Sequence, residues 1–162
     1  MKLEFPYQIV TFLDREPQAG EPVYYGDDGW FAQVALKRRF KLQGIDESQL
    51  VQLLQSTVTG DIPIKTGLLM KPERMPVRVI DIENQDEIRS LHRKLVTKLG
   101  DNVISRYPDR EGINYYAHIT AEYDGEFVIP VDNYADKEFE LNNVWLLKDI
   151  EDENSRAYIK IK

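Results

Sequence analysis

The sequence contains no cysteine and only two histidines, His92 and His118, among its 162 residues. Without cysteine the chain has no disulfide, no thiolate nucleophile and no cysteine-ligated zinc or iron-sulfur site. Two histidines are also too few for a metal site built on several imidazoles. We therefore expect a protein without a bound metal ion.

Long apolar runs are absent as well. The sequence contains no window of about 18 apolar residues, the length that a transmembrane helix needs. Residues 1–6 lack the apolar run of a secretory signal. We expect a cytoplasmic protein without a membrane partner.

Positive charge is in short supply, since 28 acidic residues outnumber 21 Lys and Arg and leave a net charge of -7. Nonspecific binding to nucleic acid depends on many cationic contacts to phosphate, so this balance argues against coating of DNA. A small local basic patch remains compatible with it.

Strand and helix patterns are spread along the whole chain, which has the length of about one average domain. Helices are expected after Asp46, which forms a capping-box pattern with Gln49, and at residues 86–99 between Asn84 as cap and Gly100 as stop. An irregular connection is expected at 14–29 and an acidic turn at 149–154. The expected strands cover residues 7–13, 31–37, 62–70, 77–82, 115–123, 126–131, 139–147 and 157–161.

The strand at 115–123 combines an aromatic, β-branched composition with an unusual polar face. Side chains alternate across a strand, so one face carries Tyr116, His118, Thr120 and Glu122. Burial of an unpaired polar group costs roughly 2 to 7 kcal/mol. This face is therefore predicted to line water or a cleft.

The strand at 31–37 is followed by the densest basic run of the chain, Lys37-Arg38-Arg39-Phe40-Lys41. Strict alternation puts Gln33, Ala35 and Lys37 on one face. Lys37 and Arg38 are candidates for contact with a phosphate, and a solvated strand end is the alternative.

The triplet His118-Ile119-Thr120, with a helix at 86–99 before it and a strand at 139–147 after it, resembles the two-histidine phosphoesterase superfamily. That superfamily includes 2′-5′ RNA ligase-like proteins and cyclic phosphodiesterases, and its members carry two His-x-Thr motifs on strands that share a groove. The segment resembling the first motif begins Gln33-Val34-Ala35. Gln33 stands at the histidine position and Ala35 at the threonine position.

The resemblance implies an α+β fold in which two lobes of mostly antiparallel sheet surround a central groove and helices pack on the outside. It also implies a single domain over 1–162, with pseudo-repeated halves at roughly 1–75 and 76–162.

In this family one histidine takes a proton from the attacking oxygen, the other protonates the leaving oxygen, and the threonines hold the phosphate. The mechanism needs no cofactor. The resemblance thus assigns His118 and Thr120 as catalytic, whereas a glutamine amide can only hydrogen-bond a phosphate or base edge. The candidate substrate-binding residues are Gln33, Lys37, Arg38, Tyr116, which would stack on a base, and Glu122, which would orient an imidazole.

We expect a degenerate 2′-5′ RNA ligase-like protein that binds a nucleotide or an RNA end in its groove with weak or no turnover. One alternative is an active phosphoesterase that uses His118 on 2′,3′-cyclic phosphates or 2′-5′ linkages. Another is a non-catalytic protein-interaction domain. The oligomeric state is left open. His92 lies on the apolar arc of its helix and is expected in the core.

Overall fold

A computed structural model describes residues 3–20, 23–24, 31–123, 125–150 and 155–162 of the chain. The irregular connection expected at 14–29 and the acidic turn expected at 149–154 lie partly outside the described residues. The helices of the described part are α1 (Glu47–Thr57) and α2 (Gln85–Leu99). The strands of that part are β1 (Tyr7–Phe12), β2 (Val23–Tyr24), β3 (Gln33–Leu42), β4 (Ile62–Met70), β5 (Val79–Ile82), β6 (Val103–Ser105), β7 (His118–Thr120), β8 (Glu122–Tyr123), β9 (Glu126–Phe127), β10 (Glu138–Leu141), β11 (Trp145–Asp149) and β12 (Ser155–Lys160).

One large sheet runs through the described part of the molecule in the order β10-β4-β5-β7-β3-β1-β11-β12-β2, with β6 attached to β3. β8 and β9 form a separate two-stranded sheet. The strand pairings of the described residues are antiparallel. The predicted α+β class with mostly antiparallel sheet is therefore confirmed.

The two helix starts use their cap residues differently. The Asp46 carboxylate accepts the backbone N–H of Gln49 at 2.8 Å, and the Gln49 side chain accepts the backbone N–H of Asp46 at 2.9 Å, so the predicted capping box is confirmed. Asn84 is the N-cap residue of α2, as predicted, but makes no side-chain cap bond. Its amide instead donates to the Pro63 carbonyl at 2.7 Å and accepts the Lys65 N–H at 2.8 Å. Asn84 thus joins the start of α2 to β4.

The helices close one face of the sheet. α2 packs against β3, β4 and α1, and each fully buried aliphatic side chain in such a layer contributes about 1.5 to 3 kcal/mol. The opposite face carries a smaller aromatic cluster near β1 and β11. The helix-side core includes Val34, Leu36, Leu50, Leu54, Ile88, Leu95, Leu99 and Ile119, and the opposite cluster contains Val10, Phe12, Trp145, Leu147 and Tyr158.

Several predicted strands are shorter than expected, among them those at 77–82 and 126–131, and in two others side chains take over backbone hydrogen bonds. The strand expected at 115–123 begins only at His118, since the Gln85 amide bonds both the N–H and the carbonyl of Ala117 at 2.9 and 2.7 Å. The strand expected at 139–147 is interrupted, and Asn143 in the gap bonds both backbone groups of Phe12 at 2.9 Å. Both replacements tie the sheet to a neighbouring element.

Candidate functional site

The two strands singled out by the sequence are neighbours near the middle of the sheet. Val34 of β3 pairs with Ile119 of β7 in antiparallel register. That register sets Gln33 beside Thr120 and Ala35 beside His118, on the face away from the helices. Sequence positions more than 80 residues apart are thereby brought to one surface of the sheet.

These side chains line a cleft of about 100 Å³. A cleft of this size has room for a few water molecules or for one phosphate-sized group. The lining residues are Gln8, Phe31, Gln33, Ala35, Arg38, His118, Thr120 and Tyr123. Four of the predicted site residues, Gln33, Arg38, His118 and Thr120, are thus brought together.

His118 is held in one tautomer. Its Nδ1 lies 3.0 Å from the carbonyl oxygen of Tyr116, which can only accept, so Nδ1 carries the proton and Nε2 is bare in the neutral ring. Burial, with a further contribution from the Arg38 cation, lowers the pKa of His118 to about 4. The imidazole is therefore neutral at pH 7 and has a free acceptor nitrogen.

Tyr116 supports His118 without lining the small cleft. The two rings stack with centroids 5.5 Å apart and planes inclined by 15°. The Tyr116 hydroxyl donates to Asp81 at 2.5 Å, and burial together with this bond raises the pKa of the phenol. In the backbone register of β5 and β7, Asp81 lies opposite His118. Tyr116 lines the larger cavity described below rather than the cleft.

Arg38 is the cation of the cleft. Burial and the nearby Arg110 cation both lower the pKa of Arg38. No carboxylate of the described residues lies within ion-pair distance of its guanidinium. A partly desolvated cation without a counter-ion is unfavourable and attracts an anion.

Lys37 does not lie beside Gln33, contrary to the face expected from strict alternation. Val10 pairs with Ala35, but Ile9 pairs with Lys37, so β3 contains an extra residue between them. Such a bulge reverses the side-chain direction beyond it. Lys37 consequently points to the helix-covered side, where it is 1% exposed. It donates there to Ser105 and Glu111 rather than lining the cleft.

Glu122 also lies outside the cleft lining. Its carboxylate pairs with Arg78 at 3.3 Å, and the Arg78 guanidinium in turn lies over the Phe127 ring at 5.3 Å. No contact between Glu122 and the imidazole of His118 is found, so the expected orienting role is taken by the Tyr116 carbonyl.

His92 is buried on the helix side, as expected, and holds a loop beside the site. Its Nδ1–H donates to the Leu36 carbonyl at 2.8 Å and its Nε2 accepts the Gly112 N–H at 3.0 Å. Its ring stacks on Tyr115 at 4.0 Å, and the Tyr115 hydroxyl donates to the Ala35 carbonyl at 2.7 Å. The loop at 108–114 is thereby fixed against β3.

A second cavity of about 660 Å³ adjoins the cleft, and Arg38 lines both. Most of its lining residues were not predicted from the sequence, although a carboxylate inside the apolar strand Val79–Ile82 was a usable signal. Gln8 in the cleft gave a similar signal within β1. The residues lining the larger cavity are Arg38, Met70, Pro72, Glu73, Arg74, Met75, Asp81, Asp109, Arg110, Asn114 and Tyr116.

Two further features bear on the kind of site. Within the described ranges, no group of three His, Asp or Glu side chains is arranged to hold a metal ion. Neither α-helix found there is long and apolar enough to cross a membrane.

The fold of this chain is similar to that of solved phosphoesterase structures. A solved phosphoesterase structure matches 98% of this chain and 95% of its own at a TM-score of 0.60 and 13% identity. E. coli LigT matches with the same coverages, at a TM-score of 0.59 and 14% identity in its complex with 3′-AMP and 0.56 and 14% in its complex with ATP. No protein-family model and no curated protein matches the chain. The fold implied by the resemblance to two-histidine phosphoesterases is thus confirmed.

Proposed function

We propose that the protein is a degenerate two-histidine phosphoesterase that binds the phosphate of a nucleotide or an RNA end in the cleft and turns it over weakly or not at all. The observation that carries the proposal is the shared cleft of Gln33, Arg38, His118 and Thr120. The cleft combines the groups of an anion-binding site with one side chain that can transfer a proton, His118.

The cleft offers hydrogen-bond donors and positive charge to a phosphate. The Arg38 guanidinium provides a charged, forked donor suited to phosphate oxygens. The Gln33 amide and the Thr120 hydroxyl provide neutral donors on either side of the β3–β7 pair. A volume of about 100 Å³ accommodates one phosphate group.

The same cleft lacks half of the acid-base pair. With its proton on Nδ1, neutral His118 can accept a proton at Nε2 from an attacking hydroxyl or water. No second imidazole is present to protonate the leaving oxygen, since Gln33 occupies that place and His92 lies on the other face. One general acid or base contributes typically 10² to 10⁴ in rate, so its loss makes turnover slow.

The fold comparisons support a nucleotide as the ligand. LigT has been solved in complexes with 3′-AMP, NADP⁺ and ATP. A nucleotide phosphate in the cleft of this chain would neutralise Arg38, which has no acidic partner among the described residues.

Binding of 3′-AMP and of inorganic phosphate, followed by calorimetry, tests the proposal. Arg38→Gln is expected to weaken both by about 10- to 100-fold, because a charged hydrogen bond is worth roughly 1.5 to 3 kcal/mol. Arg93→Gln, which removes a cation from the outer face of α2, is the matched control and should leave both affinities unchanged. Equal affinities for wild type and Arg38→Gln would refute the assignment.

A working phosphoesterase is the second candidate, because the bare Nε2 of His118 lies in the cleft and is able to accept a proton. Such an enzyme would cleave esters with good leaving groups, which need no general acid. Cleavage of an aryl phosphodiester that disappears in His118→Ala would favour it.

A further inference from the structure

The larger cavity beside the cleft is the compartment that the proposed phosphate site leaves unexplained. It adjoins the cleft through Arg38, which lines both. Asp81 on its wall lies opposite His118 in the backbone register of neighbouring strands. A volume of about 660 Å³ lies within the usual range for small-molecule and cofactor sites, roughly 300 to 1,000 Å³. A molecule with its phosphate in the cleft would therefore extend into this cavity.

We propose that the cavity binds the base of the nucleotide and prefers guanine, an inference that rests on the phosphate site proposed above. One part of its wall is apolar and comes from the segment after β4. Met70, Pro72 and Met75 supply this surface, and methionine side chains adapt to flat ligands. A purine ring has the flat apolar faces that such a wall accommodates.

The polar part of the wall combines two kinds of groups. Asp81 and Asp109 are acceptors, whereas Arg74 and Arg110 are donors. Guanine presents O6 and N7 acceptors, the pair that arginine reads most often, together with an N2 amino donor that suits a carboxylate. Adenine and cytosine also present an acceptor and an amino donor, but only guanine adds the paired O6 and N7 acceptors that one arginine contacts with two hydrogen bonds.

Hydrogen bonds and an ion pair attach the loop that forms part of the cavity wall to the rest of the molecule. Arg110 and Asn114 come from the loop that His92 fixes through the Gly112 N–H, and Lys37 adds an ion pair to Glu111 in the same loop. The Asn114 amide also donates to the Asp109 carbonyl at 3.0 Å. A preformed wall loses little conformational freedom on binding.

Calorimetry with five ligands separates this inference from the phosphate site. The ligands are ribose 5-phosphate and the 3′-monophosphates of guanosine, adenosine, cytidine and uridine. We expect the guanosine nucleotide to bind roughly 10- to 100-fold more tightly than ribose 5-phosphate, as one base contact contributes in other single-stranded sites, and more tightly than the other three.

Ribose 5-phosphate that binds as tightly as all four nucleotides would overturn the base compartment and leave the phosphate site standing. Absence of binding by all five would instead overturn the phosphate site on which the inference depends. Four nucleotides of equal affinity, all tighter than ribose 5-phosphate, would overturn the guanine preference.

A pair of variants on one strand locates the effect. Met70 and Leu68 are both exposed on β4, at 40% and 69%, but only Met70 lines the cavity. Met70→Glu should weaken binding of the guanosine nucleotide about tenfold and leave ribose 5-phosphate unchanged, because it removes apolar surface that contacts the face of the base and puts a hydrated charge there. Leu68→Glu, with the same change of charge, should leave both unchanged. Equal effects of the two variants would refute the location.

Discussion

Ala35 lies opposite His118 across the antiparallel pair of β3 and β7. A methyl group therefore faces the imidazole where the family pattern calls for a threonine hydroxyl. Gln33 is correspondingly beside Thr120, so the segment that resembles a first His-x-Thr motif lies next to the His118 triplet in the sheet. Substitution of Gln33 and Ala35 tests whether these two side chains limit the rate of catalysis.

Restoring the first motif should restore catalysis. Gln33→His combined with Ala35→Thr is expected to raise kcat/KM on a 2′,3′-cyclic nucleotide by about 10² to 10⁴, since it supplies the missing general acid. Gln8→His, which adds an imidazole to the same cleft from β1, is the control and should have little effect. An unchanged rate in a correctly folded double variant would mean that the cleft is not a relic of this active site.

Acid should destabilise the fold through His118. Its pKa is about 4 when folded and 6.5 in the unfolded chain, so the unfolded state binds more protons between these values and stability falls as the pH drops from 6.5 to 4. The loss is on the order of 3 kcal/mol. Denaturant titrations from pH 7 to 4 should show a shallower decline for His118→Gln. Parallel curves for the two proteins would show that His118 is not the group responsible.

Removal of the His92 hydrogen bonds should loosen the loop at 108–114. His92→Phe keeps a ring against Tyr115 but leaves the Gly112 N–H and the Leu36 carbonyl without their partner. We expect a loss of roughly 1 to 3 kcal/mol of unfolding free energy and faster amide exchange at Gly112. Unchanged exchange at that amide would contradict the role assigned to His92.

Removal of one partner of the buried Lys37–Glu111 pair should lower the unfolding free energy more than replacement of both partners by apolar residues. Lys37→Met leaves the Glu111 carboxylate without its partner and should cost about 3 to 5 kcal/mol. Lys37→Met with Glu111→Leu should recover most of that loss. Urea denaturation of the two singles and the double measures the coupling, and additive effects would argue against an interacting pair.

Sequence patterns predicted the helices, most strands and the polar faces of β3 and β7, because alternation and capping are local properties. They put Lys37 on the wrong face, since a bulge depends on the pairing with β1 and not on the residues of β3 alone. They also missed the larger cavity, whose walls come from segments far apart in the chain. The cytoplasmic location and the absence of nonspecific DNA coating stay predictions.

The most direct test combines binding and turnover in one sample. A 2′,3′-cyclic nucleotide is added to the protein while NMR follows the His118 imidazole and the phosphorus signal. We predict a saturable shift of His118, a rise of its pKa from about 4 because a bound anion favours the charged ring, and a phosphate ester that persists. An unshifted His118, or rapid hydrolysis at the rate of the restored double variant, would contradict the account.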